Sequence, residues 1–63
     1  MSNETRCIYH ENPSYDSTIE IAQFIDGKQD VAIFLYNDGE DTRVICSKEQ
    51  AIAMANAILE ELR

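Results

Sequence analysis

Two stretches of this chain are apolar on both faces of an extended strand, yet only one segment has the pattern of a helix that could cover them. Val31-Ala32-Ile33-Phe34-Leu35-Tyr36 is an unbroken apolar run, and Thr18-Ile19-Glu20-Ile21-Ala22-Gln23-Phe24-Ile25 is nearly one. Side chains alternate across a strand, so both runs must be buried on two sides. A single helix shields one face of a small sheet. The other face then calls for a partner, and a second copy of the same chain is the simplest.

Length sharpens that constraint. The 63 residues form a single domain, residues 1–63. A chain of about this size buries only about 60% of its unfolded surface. Small domains compensate with disulfides, metals or oligomerisation. Two cysteines allow at most one internal bridge, which is far from a disulfide framework. The opening residues run into no long apolar stretch, so neither a signal peptide nor a membrane span is expected. A cytoplasmic, reducing location follows, and oligomerisation is the compensation that remains.

Twelve acidic against five basic side chains give a formal charge of −7. Nucleic-acid binding needs a basic footprint that displaces phosphate counterions, and an anionic membrane surface makes the same demand. Neither partner is expected. An acidic field instead steers in proteins with basic surfaces, besides keeping a small protein in solution.

The elements read in the order β-β-β-β-α. Thr5 to His10 has strand composition and suits an edge. Asn12 to Ser17 is a cluster of turn formers in which Pro13 bars ladder pairing. The polar first seventeen residues suit either a loose edge strand or a mobile arm. Thr18 to Ile25 and Asp30 to Tyr36 are strands joined by a loop at Asp26-Gly27-Lys28-Gln29, with Gly27 suited to positive φ. Asn37-Asp38-Gly39-Glu40 makes a second hairpin turn, leading into a short strand over Thr42 to Cys46. Ser47-Lys48-Glu49-Gln50 matches a capping box and opens a helix that continues to Leu62. At about 100° per residue, Met54, Ile58, Ala51, Leu62, Ala55, Leu59 and Ile52 share an arc about 160° wide. The fold class is therefore α+β: a small antiparallel sheet of three to four strands with one C-terminal amphipathic helix on one face.

Strand alternation sorts the sheet into two sets. Ile19, Ile21, Ile25, Val31, Ile33, Leu35, Val44 and Cys46 suit a core beneath the helix. The opposite set holds Glu20, Ala22, Phe24, Ala32, Phe34, Tyr36, Arg43 and Ile45. Its aromatic middle and charged margins have the composition of an interface. Ala22, Phe24, Ala32, Phe34, Tyr36, Arg43 and Ile45 are accordingly the candidate contact residues, toward a second copy or another protein. Asp38, Glu40 and Asp41 form a candidate acidic loop for a basic partner.

Catalytic and metal signatures are weak. Cys7, His10 and Cys46 are zinc-ligand types, but residues three apart on a strand point to opposite faces, and a fourth ligand is missing. A Cys7–Cys46 disulfide would require neighbouring strands; buried free thiols are the expectation. His10 and Glu11 diverge on a strand, which spoils a His–carboxylate base. No EF-hand loop, nucleophile elbow or phosphate-binding glycine loop is present. No enzyme activity, cofactor or metal is expected.

In size, acidity and lack of catalytic motifs the chain is similar in outline to small accessory proteins of phages and mobile elements. That resemblance of type implies inhibition of other machinery by binding it, and no motif carries it. The functional expectation is a homodimeric protein-binding regulator or inhibitor. Two alternatives stand beside it: a small-molecule or nucleotide binder with a pocket between protomers lined by Tyr9, Tyr15, Tyr36 and Arg43, and a structural subunit of a larger complex.

Overall fold

A computed structural model of the protein describes residues 4–63. Four strands form one antiparallel meander in the order β1-β2-β3-β4. They are β1 (Thr5–Ser14), β2 (Ser17–Phe24), β3 (Val31–Asn37) and β4 (Glu40–Cys46), followed by the helix α1 (Lys48–Leu62). This is the α+β architecture and element order that the apolar patterning predicts.

Turn chemistry sets the registers. Asp38 and Gly39 connect β3 to β4 with φ of 53° and 86°, the backbone of a two-residue type I′ hairpin. Asn37 faces Glu40 across it, and the ladder runs regularly to Val31 opposite Cys46. In the β2–β3 loop the left-handed residue is Gln29, at φ 58°, and not Gly27. The Asp26 carboxylate explains the difference: its Oδ1 accepts from the Lys28 and Gln29 amides at 3.1 and 2.8 Å, an Asx-type turn that fixes the path without glycine. The Phe24 amide then donates to the Asp30 carbonyl at 2.9 Å and closes the loop.

The first strand is longer than its composition suggests. It continues past His10 to Ser14 and includes Pro13. Proline lacks a donor, and the ladder accommodates it with an irregularity between Glu11 and Ser14, where the missing amide breaks no regular pair. A second irregularity lies between Cys7 and Tyr9. Any expectation for residues 1–3 of the arm lies outside the described residues.

The helix begins where its cap requires. Ser47 Oγ accepts from the Gln50 amide at 3.1 Å, and Gln50 Oε1 accepts from the Ser47 amide at 2.9 Å. Both halves of the capping box are present. Ser47→Ala removes one of them and should cost about 1 kcal/mol, read as a lower urea midpoint with an unchanged slope.

The packing is thin. Among the described residues the buried side chains are Ala22, Val31 and Ala32, and no residue of α1 is buried. Several residues expected in a core under the helix are therefore exposed. Ile25 lies past the end of β2 in the loop, and Leu35 and Val44 are on the helix side but beyond its cover. Fully burying a Leu, Ile or Val side chain gives about 1.5–3 kcal/mol, whereas alanine gives much less. One buried valine and two alanines are a small return for ordering sixty residues, each costing about 1–2 kcal/mol of backbone entropy.

Candidate functional site

Register places the candidate contact residues on the sheet face opposite α1. Cys7, Ala22, Ala32 and Ile45 lie side by side across the four strands. The next row is His10, Glu20, Phe34 and Arg43, and beyond it come Thr18, Tyr36 and Asp41. Phe24 sits at the other margin, opposite Thr5. Ala22 and Ala32 are buried within the chain. They form the floor between the aromatic residues and offer little surface of their own. Phe34, Tyr36 and Ile45 are exposed, so the accessible part of this face is a strip running from Ile45 through Phe34 to Tyr36, with Arg43 alongside.

A shallow groove of about 590 Å³ follows that strip, lined by Thr18, Glu20, Phe34, Tyr36, Asp41 and Arg43 together with Leu35 and Thr42, which alternate between them along β3 and β4. An aromatic pair, a guanidinium and two carboxylates can together grip a protein side chain or a small polar molecule. Of the four residues proposed to line a ligand pocket, one chain brings together only Tyr36 and Arg43. Tyr9 faces the helix side through its pairing with Ile21, and Tyr15 is fully exposed in the β1–β2 turn.

The acidic loop is split by strand alternation. Asp41 belongs to the groove, whereas Glu40, one residue earlier, faces the other way. Asp38 is at the tip, and its amide donates to the Asp16 carbonyl at 2.9 Å. The β1–β2 and β3–β4 turns thus lie together at one end of the sheet, and Asp16 joins the acidic group. Sequence reasoning missed Asp16, although a four-strand meander necessarily brings its first and third turns to the same end.

Topology also decides the cysteine questions. Cys7 is on β1 and Cys46 on β4, the two outer strands. They also face opposite sides, since Cys7 pairs with Ala22 and Cys46 with Val31. At about 4.8 Å per strand, a separation of three strands exceeds any disulfide span. Both are free thiols, and Cys7 is exposed where a buried thiol was expected. Among the described residues no group of three His, Cys, Asp or Glu side chains is arranged to hold a metal, and no helix is long and apolar enough to cross a membrane. His10 pairs across the strands with Glu20, a His–carboxylate juxtaposition that only the register reveals.

A second concave surface lies on the helix side. Between α1 and the sheet is a cavity of about 430 Å³, lined by Ile8, Ile21, Val31, Ile33, Met54 and Ile58 among others. Ile8 enters it by alternation from Cys7, and the irregularity that follows places Tyr9 on the same side. These residue types read as closed core in the sequence, which is why the opening was not anticipated. No protein-family model, curated protein or solved structure matches the chain.

Proposed function

We propose that the chain is a small acidic protein-binding module without enzymatic activity, working as a homodimer to regulate or inhibit a macromolecular partner with a basic surface. The observation that carries this reading is the free strip Ile45–Phe34–Tyr36 with Arg43 beside it and Glu20 and Asp41 at its margins. Aromatic residues and arginine dominate the energetic centres of protein interfaces, and charges at the rim set encounter rate and partner choice. With a net charge of −7, the acidic end at Asp16, Asp38, Glu40 and Asp41 favours basic partners and disfavours nucleic acid and anionic membranes. A cytoplasmic setting suits two free thiols.

The test is capture of partners from a cell lysate on immobilised protein. Asp38 holds a left-handed backbone, so the variant uses Asp38→Asn, which tolerates that geometry, with Glu40→Lys and Asp41→Lys. The formal charge moves from −7 to about −2, by one unit and two plus two. Steering of a basic partner should slow by about ten-fold or more at low salt. Capture that is unchanged by this variant and by Phe34→Ser would remove the reading.

A second reading is favoured by the groove at Tyr36 and Arg43, whose volume would admit a small polar ligand completed by a neighbouring protomer. Thermal shifts across a nucleotide and metabolite panel separate the two, since a binding module gives none. A structural subunit, the third alternative, would co-purify with its complex at fixed stoichiometry.

A further inference from the structure

We propose that the helix side of the chain is the surface on which a second copy docks, so that two copies face each other through their helices and complete one shared core. The inference rests on the self-association proposed above and assigns it to a face other than the aromatic one.

The apolar side of α1 meets the sheet without being covered by it. Ile58 is 51% exposed, Leu59 48% and Leu62 81%, and on the sheet beside them Leu35 is 43% and Val44 51% exposed. The cavity of about 430 Å³ opens next to them, with Ile58 in its lining beside Ile21, Ile33 and Met54. Residues 4–63 are all placed in the fold, so none of them is left over to cover this side.

Area and shape indicate the size of the missing cover. A folded monomer of this mass, 7.2 kDa, exposes about 4,100 Å², whereas the chain exposes 5155 Å². Its radius of gyration is 12.8 Å, against about 10.6 Å for a compact chain of this length. The excess is roughly 1,000 Å² per chain, or roughly 2,000 Å² for a pair, which falls where obligate homodimer interfaces begin. A small molecule filling the cavity would leave the excess at Leu35, Val44, Leu59 and Leu62 in place.

Shape and charge both favour a copy of the same chain. One surface offers a ridge (Leu59, Leu62) and an apolar cleft side by side, the arrangement a two-fold interface requires, because each copy's ridge can enter the other's cleft. Each copy carries −7, so self-pairing must avoid opposing carboxylates. The aromatic face carries Glu20 directly beside Phe34 and Asp41 beside Tyr36. The central helix-side row across Tyr9, Ile21, Ile33 and Val44 has none, Glu11 and Glu40 being in the outer rows toward the β3–β4 turn, and Glu60 points away from the apolar arc of the helix while Glu61 lies just outside its Met54 margin.

The experiment uses the full chain. Sedimentation equilibrium and native mass spectrometry give copy number and bound mass for the wild type and for Leu59→Glu/Leu62→Glu. Neither side chain is buried within one chain, at 48% and 81% exposed, so the substitution should leave a folded monomer while weakening self-association by about 100-fold or more. Should the variant fail to fold, an isotope-filtered measurement on wild-type protein decides instead. Methionine methyl-labelled and unlabelled chains are mixed, and contacts from the Met54 methyl group to the other chain are recorded. Contacts to Leu, Ile or Val side chains of the helix side support the proposal. A dimer whose inter-chain contacts fall on Phe34 and Tyr36 overturns the assignment of the face while leaving self-association intact. A wild-type monomer, bare or carrying an apolar small molecule, overturns both, and lysate capture by the aromatic face remains a separate question.

Discussion

Val31→Asp is expected to abolish cooperative unfolding, leaving a chain with no thermal transition by circular dichroism at any temperature. Among the described residues, Val31 is the one buried residue larger than alanine. It sits at the start of β3 between Gln23 and Cys46, beneath the first turns of α1. Losing its burial removes about 1.5–3 kcal/mol, and desolvating a carboxylate there costs several kcal/mol more. A domain of this length has a total stability of about 3–9 kcal/mol, so the two losses together consume most or all of it. Lys48 lines the same cavity and donates to Gln29 Oε1 at 2.9 Å, and Arg6 donates to Gln23 Oε1, on the strand partner of Val31, at 2.8 Å. Val31→Lys separates desolvation from rescue. Both variants should fail alike, whereas a folded Val31→Asp beside an unfolded Val31→Lys would mean that Lys48 or Arg6 neutralises the new charge. Val31→Ala, which removes only volume, should cost about 2 kcal/mol. Tyr15→Ser, at a fully exposed turn position, should change stability by less than about 0.5 kcal/mol.

What could be read from the chain and what could not divide along a physical line. Asp38-Gly39, Ser47-x-x-Gln50 and the alternation of Ile19, Ile21, Ile33 and Val44 act through the backbone within a few residues. Each therefore predicts its turn, cap or face from sequence alone. The irregularities that admit Pro13 and put Tyr9 beside Ile8 on the helix side depend on how β1 meets β2, a pairing that the pattern within one strand does not fix. Gln29 takes the left-handed position because the Asp26 side chain organises its loop, and Gly27 then has no such task. Burial was the least legible property. The arc of Met54, Ile58 and Leu62 marks those residues as wanting cover, and nothing in a period of 3.6 residues says whether the cover belongs to the same chain. The candidate site divides in the same way. Phe34, Tyr36 and Arg43 could be grouped by alternation, whereas Asp16 joined Asp38 only through the topology of the meander.

Gly39→Val is expected to destabilise the protein by about 1–3 kcal/mol, with a further consequence for which residues occupy each face. A Cβ at Gly39 would meet no atom within 4 Å, so the penalty lies entirely in the backbone: φ is +86°, a region that β-branched residues avoid. Gly39→Asn, which tolerates left-handed geometry better, should lose less, and the ordering Gly, Asn, Ala, Val in denaturant midpoint tests the cause. A steric origin would instead follow side-chain volume, with Asn falling near Val. The turn also holds the β3–β4 register in which Phe34 faces Arg43 and Ile33 faces Val44. A slip of one residue would exchange the faces of β4, carrying Arg43 and Ile45 to the helix side and Val44 to the aromatic side. The guanidinium would then leave the groove and enter the apolar surface proposed for self-association. A variant that relieves turn strain by slipping should therefore lose partner capture and dimerisation together, while one that keeps register should lose stability alone. Measuring both on the surviving fraction of Gly39→Val distinguishes a weakened turn from a re-registered strand, and ties two residues at one end of the sheet to the chemistry of both faces.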